Sequence, residues 1–157
     1  MSEAIQPVFT IDKVYVKDMS LEVPNAPQVF LQQEEPQVQI QLRTDARQVD
    51  PGGVFEVAIT VTITAKAGEK TIFLIEVAQA GLFQIRNVPQ ADVEPLLGIA
   101  CPNILFPYLR ETVASLSLRA GFPPVQLAPM SFESLYAQRQ QELAQQAAAA
   151  APAGTVQ

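Results

Sequence analysis

Few side chains in this sequence can do covalent or metal chemistry, and they lie far apart. The single cysteine, Cys101, precedes Pro102 at the expected start of a helix, a place where a thiol pKa can be lowered. Its neighbours Ile99, Ala100, Ile104 and Leu105 are apolar and no base is close in sequence, so it reads as a buried, inert thiol. The adjacent pair Glu34-Glu35 cannot share one substrate, because neighbouring residues of an extended chain point apart; it reads as a solvated loop. Gly52-Gly53 has neither the lysine nor the following helix of a phosphate loop and reads as a turn. Asp18, Ser20 and Glu22 fall on one strand face, with the two carboxylates roughly 13 Å apart along an extended chain. That is too wide for a carboxylate pair acting on one bond. It suits a flat acidic contact surface, or an ordinary polar sheet face.

Composition narrows the chemistry further. The 157 residues hold no histidine, one cysteine and no tryptophan, which rules out Ser-His-Asp and Cys-His triads, His-ligated zinc and any multi-cysteine site. Ten basic residues stand against sixteen acidic ones, a net charge of −6, and no Lys/Arg cluster appears. Nucleic acid and direct insertion into a membrane are therefore not expected. The start, MSEAIQPVF, has no basic stretch followed by an apolar one, and the lone cysteine fits a reducing compartment, so a soluble cytoplasmic protein is expected. Hydrophobic residues make up 48% of the chain and charged ones 17%, an excess of apolar surface for burial between subunits or for binding.

The elements that must position these residues are legible from periodicity. Val8 to Val23 alternates, with Phe9, Ile11, Tyr15, Met19 and Leu21 on one face and Thr10, Asp12, Asp18, Ser20 and Glu22 on the other. Pro24-Asn25-Ala26-Pro27 stops that strand, and Gln28 to Pro36 reads as an extended crossing loop. Val38, Ile40 and Leu42 alternate with Gln37, Gln39, Gln41 and Arg43 as a half-buried strand. After a turn at Asp50-Pro51-Gly52-Gly53, Phe55 to Ile63 is a third strand. Beyond Ala67-Gly68, Thr71 to Phe83 is a fourth, apolar on both faces and so central, covered by helix on one side and another subunit on the other.

Past Pro89 the period becomes helical. Asp92 is expected to cap a short helix with Pro95 near its first turn. Pro102 opens a second helix, with Leu105, Leu109, Thr112, Val113 and Leu116 as its buried stripe. Pro107 predicts a kink or a later start, and Gly121 the stop. Ser131 caps a last helix carrying Phe132, Leu135, Tyr136 and Leu143. Strands first and helices after predict an α+β fold, an antiparallel sheet with helices on one face. The expected organisation is a flexible N-terminus over 1–8, one domain over 9–143 and a disordered Ala/Gln-rich tail over 144–157.

Four blocks in order closely resemble the SecB protein-export chaperones: Tyr15 to Pro27 (YVKDMSLEVPNAP), Phe73 to Val77 (FLIEV), Cys101 to Tyr108 (CPNILFPY), and Leu127-Ala128-Pro129 followed by Phe132 and Leu135. The likeness runs from about Phe9 to Gln141. It implies a four-stranded antiparallel sheet with helices packed on one face, assembled as a homotetramer, a dimer of dimers. It also implies a cytoplasmic holdase that uses no ATP and no cofactor, is not an enzyme, keeps unfolded precursor proteins translocation-competent and delivers them to SecA.

On the same resemblance, Asp18, Glu22, Leu74 and Glu76 match the SecA-docking positions, where carboxylates meet a basic zinc-bearing segment of the partner. Val38, Ile40 and Leu42, with Leu135 and Tyr136 opposite, match the client groove. Alternation independently places Asp18 with Glu22, and Leu74 with Glu76, on one face of their strands. One departure is Glu34 or Glu35 where many members carry a tryptophan in the crossing loop. The alternatives are a SecB-like chaperone serving a toxin–antitoxin pair and a carrier of small apolar ligands; a carboxylate hydrolase lacks a pair at catalytic spacing.

Overall fold

A computed structural model describes residues 3–151. Strands β1 (Val8–Glu22), β2 (Gln37–Asp50), β3 (Val54–Ala67) and β4 (Lys70–Arg86) form one antiparallel sheet in the order β1-β4-β3-β2. The β2–β3 turn is built as its residues predict: the Gly52 amide donates to Asp50 Oδ1 at 2.7 Å. The crossing connection departs from the extended form expected of it. Gln28–Leu31 closes a 3₁₀ turn whose Val29 is buried in the core, so an apolar side chain folds back where a simple loop would have stayed in solvent.

Pairing registers divide the sheet into two unlike faces. Val61 stands opposite Val77, and Ile63 opposite Ile75, all on the inner face. Leu42 opposite Val61 and Ile40 opposite Ile63 extend that face onto β2. The outer face bears Thr60, Thr62 and Thr64 on β3, against Ala78, Glu76 and Leu74 on β4. β4 is central, as its two-sided hydrophobicity predicts, and part of its outer side is covered from within the chain. Ala80, fully buried, lies opposite Tyr15, whose side chain reaches across β4 to Glu56 on β3.

Strand β1 departs from strict alternation. Register shifts between Ile11 and Lys13 and between Val16 and Asp18 mark two bulges. Each inserts a residue and reverses the side on which the following ones fall, so Val14 and Val16 lie on the inner face and Tyr15 on the outer one. Tyr15 was expected beside Phe9 and Ile11; it instead opposes Ala80, and its hydroxyl donates to Glu56. After the second shift Met19 and Leu21 face inward and Asp18, Ser20 and Glu22 outward, as alternation from the strand's start predicts.

Helix α1 (Gln90–Pro95), a π-helical turn (Leu96–Ala100) and α2 (Cys101–Arg119) follow one another directly. The short helix begins after Pro89 with no side-chain cap; Asp92 lies within its first turn instead, where its charge complements the helix dipole. Pro95 stands at its last residue and leads into the π turn. Pro107 sits inside α2, which continues through it because both the ring and Asn103, whose carbonyl loses its donor, are exposed to water.

The inward stripe of α2, Leu105, Leu109, Val113 and Leu116, packs on β3 and β4, whereas Thr112, expected in that stripe, is only half-buried and its hydroxyl donates to the Tyr108 carbonyl at 3.0 Å. Gly121, at φ +89, ends the helical stretch. Ser131 caps α3 (Phe132–Ala150) by accepting from the Ser134 amide at 3.2 Å. That helix persists to Ala150, so the first half of the tail expected to be disordered is helical, as its alanines favour. Residues 152–157 and 1–2 lie outside the described residues; 3–7 precede the first strand without regular structure.

Leu109 is fully buried between α2 and the sheet. Leu109→Ala should therefore lower stability by about 2–5 kcal/mol, read from urea denaturation at fixed protein concentration.

Candidate functional site

The sheet's two faces carry two different surfaces. On the outer face, Asp18 opposes Ala78, Ser20 opposes Glu76 and Glu22 opposes Leu74, so β1 and β4 bring Asp18, Glu22, Leu74 and Glu76 side by side. The three carboxylates are exposed and Leu74 is half-buried between them. Among the described residues Asp18, Glu22 and Glu76 form no ion pair. Glu76 accepts one long hydrogen bond, from Thr62 Oγ1 at 3.4 Å. The result is an acidic patch whose charges remain available to a cationic partner.

Next to that patch the outer face sinks into a depression of about 450 Å³, floored by Ala58, Thr60 and Ala78 and rimmed by Lys17, Arg43, Asp45 and Arg47. Glu56 lies at its inner edge, 8% exposed, and was not singled out in the sequence. Its Oε1 accepts from Lys17 Nζ at 2.6 Å and Arg47 Nε at 3.2 Å, while Tyr15 donates to Oε2. The Lys17 and Tyr15 donors hold its carboxyl well below the usual range, at about 2, against the opposing effect of burial. Burial and the same carboxylate push the Tyr15 phenol up to about 12. From the inner face, Gln79 Nε2 donates to the Tyr15 carbonyl at 3.1 Å, so the second bulge is held from both sides.

The inner face carries the apolar surface. Val38 and Ile40 are 43% and 48% exposed on the open side of β2, while Leu42 turns in against the core. Leu135 is exposed and Tyr136 half-buried on the first turns of α3. The π-helical turn packs against both β2 and α3, so the two expected walls meet across it. A Cβ on Gly98 of that turn would lie 2.6 Å from Tyr136 Cδ2, so the absent side chain is what lets the Tyr136 ring sit down on it.

Sequence reading also missed an aromatic run. Phe30, on the crossing connection, stacks on Phe122 at 5.3 Å between ring centroids, and Phe122 meets Phe73 at 5.2 Å. Phe30 is half exposed, and Leu31 beside it almost wholly so. This aromatic surface lies a few residues before Glu34-Glu35 on the same connection. Exposed aromatics in a loop next to a strand with outward apolar residues were the available signal.

Other candidates are chemically quiet. Cys101 is completely buried, and desolvation pushes its thiol up to about 12. No cluster of candidate metal ligands occurs, and no helix is long and apolar enough to cross a membrane, among the described residues.

The Glu56 cluster has a pH signature. A carboxyl whose folded pKa lies below its unfolded value stabilises the fold above about pH 4.5, and that contribution disappears as the pH falls towards 2. The shift bounds the effect at about 3 kcal/mol, reduced by solvent screening at the exposed Lys17 and Arg47 side chains. Glu56→Gln should therefore flatten the loss of stability between pH 4.5 and 2 in urea titrations.

Comparison with known proteins bears on the family and the fold. Residues 2–143 match the family described as preprotein translocase subunit SecB. The chain is 63% identical over 143 residues to the protein-export protein SecB of Chromobacterium violaceum, covering 91% of this chain and 95% of that one. It is 62% identical over 140 residues to the protein-export protein SecB of Aromatoleum aromaticum, covering 88% and 87%. In three dimensions it is similar to the SecB-like chaperone of Mycobacterium tuberculosis, solved in complex with a peptide from the HigA1 antitoxin. The TM-score is 0.65 at 19% identity, over 78% of this chain and 91% of that one, a likeness of fold. The family match across nearly the whole chain, with the four-stranded sheet and its one-sided helices, makes this protein a member of the SecB family of protein-export chaperones.

Proposed function

We propose that the chain is a holdase working without ATP, which binds unfolded precursor proteins on the inner side of its sheet and docks SecA on the outer side. The observation that carries this reading is the separation itself. Val38, Ile40 and Leu42 belong to one face of the sheet; Asp18, Glu22, Leu74 and Glu76 belong to the other. A carrier that must hold cargo while engaging an acceptor needs two such independent surfaces.

The client surface joins Val38, Ile40 and Leu42 with Leu135 and Tyr136, extended by Phe30 on the crossing connection and by Phe122, which follows α2. Apolar and aromatic side chains on a half-open surface suit sequence-tolerant binding at many weak sites along an unfolded chain. The related SecB-like chaperone of Mycobacterium tuberculosis holds a peptide, which supports a peptide-binding role for the fold. Its antitoxin partner would favour service to a toxin–antitoxin pair, but the export relatives at 63% identity weigh more than a neighbour at 19%.

The SecA surface works through charge. Exposed carboxylates on a rigid sheet, with half-buried Leu74 among them, suit a basic segment carrying an apolar side chain, and the attraction weakens with salt. Assembly follows from β1, an edge strand of 15 residues whose inner side exposes Phe9, Ile11, Val16 and Met19, the last at 54%. An edge that long and apolar calls for a second copy of the chain, and pairs of such dimers make the tetramer. Four chains at −6 each would carry −24, which keeps assemblies apart and attracts basic segments. This work is placed in the cytoplasm and needs no nucleophile, metal or cofactor.

Light scattering should give a mass near four times 17.1 kDa, and the protein should slow aggregation of a refolding client with no nucleotide present. A monomer without effect on the client would overturn the reading. Asp18→Lys combined with Glu22→Lys should weaken SecA binding, with the defect masked by rising salt, while client holding is retained. Equal loss of both activities would show that the surfaces are not separate.

A further inference from the structure

The second bulge of β1 sets Lys17 and Asp18, adjacent in the chain, around the same depression on the outer face. Regular alternation would have sent them to opposite sides of the sheet. The bulge thus places an ammonium beside one of the carboxylates of the docking patch, with Glu76 lining the same depression. A lysine free to swing there would neutralise the charge that the patch offers to a partner. Lys17 is not free: its Nζ is held 2.6 Å from Glu56 Oε1, on the far side of β4 from its own strand.

Resting on the docking reading above, we propose that Glu56 is a positioning residue for partner docking. It holds Lys17 away from Asp18 and Glu76 and so leaves those carboxylates open to the partner's cations.

Geometry makes Glu56 the stronger competitor for the lysine. It is 8% exposed and anchored by donors from both sides, Tyr15 on β1 and Arg47 on β2, whereas Asp18 and Glu76 are exposed to screening water. The absence of ion pairs at Asp18, Glu22 and Glu76 among the described residues is the expected consequence. With its carboxyl held at about 2, Glu56 stays charged throughout the neutral range and the restraint does not relax there.

The test uses the full assembly and purified SecA, with affinity measured at low and high salt. Glu56→Gln should weaken binding about fivefold at low salt, the size of one exposed charge pair, and less at high salt. Adding Lys17→Met to Glu56→Gln should bring affinity back to within about twofold of the parent, and Lys17→Met alone should bind no more weakly than the parent. Glu56→Gln at parental affinity would overturn the proposal. So would a double variant no better than Glu56→Gln, because a merely structural role is not rescued by removing the lysine.

Mass and thermal midpoint are measured for each variant. If Glu56→Gln fails to assemble, Lys17→Met decides alone: weaker binding overturns the proposal, and parental or tighter binding supports it. SecA binding unchanged in the Asp18→Lys/Glu22→Lys variant would instead overturn the docking reading itself, so the two failures are distinguishable.

Discussion

The contact between α2 and the inner face of β3 and β4 is what the remaining structure is arranged around. Val57, Ile59, Val61 and Ile63 on β3, with Ile75 and Val77 on β4, present a continuous dry surface, and Leu105, Leu109, Val113 and Leu116 close it. Because the core lies on one side only, the opposite side of the same strands faces water and can carry threonines, carboxylates and arginines. The helix is shorter across than the sheet, so β1 and the open side of β2 remain partly uncovered on the inner face. The exposed apolar residues for which a client groove and a subunit interface are proposed are those the helix does not reach.

Strand β1 must satisfy two demands at once. Its inner side continues the apolar surface towards a free edge, and its outer side carries carboxylates in register with β4. Strict alternation from Phe9 would have put Lys13 and Lys17 on the dry side. The two bulges resolve this conflict by shifting parity twice, so that Val14 and Val16 turn inward and both lysines turn outward or into the bulge. Glu56 then accepts from the Tyr15 hydroxyl and the Lys17 ammonium on the outer face, and Gln79 donates to the Tyr15 carbonyl from the inner one. A bulge held this way gives the outer surface a fixed shape.

Strand positions, the Asp50 turn, the α2 stripe and the Ser131 cap were legible because each depends on local chemistry within a few residues. The acidic patch was legible in halves: alternation joined Asp18 to Glu22 and Leu74 to Glu76, and β1–β4 pairing joined the halves. Glu56 was hidden, since its partners Tyr15 and Lys17 are far away in sequence and nothing local marks a carboxylate in a threonine-rich strand as a hub. The Phe30–Phe122–Phe73 run was hidden for the same reason. Helicity past Leu143 follows from the helix propensity of the tail's alanines, which outweighs its low complexity.

By itself the sequence narrowed the chemistry: without histidine and with one thiol, Ser-His-Asp and Cys-His triads, His-ligated zinc and multi-cysteine sites are excluded. It also determined the order of elements and the face pattern within most strands, because side-chain period is a property of the local backbone. Only the tertiary structure decided which strands are neighbours, where β1 slips its register, and which long side chains meet across the sheet. Those depend on hydrogen-bonded pairing between distant segments, and a shift of one residue there moves every following side chain to the other face.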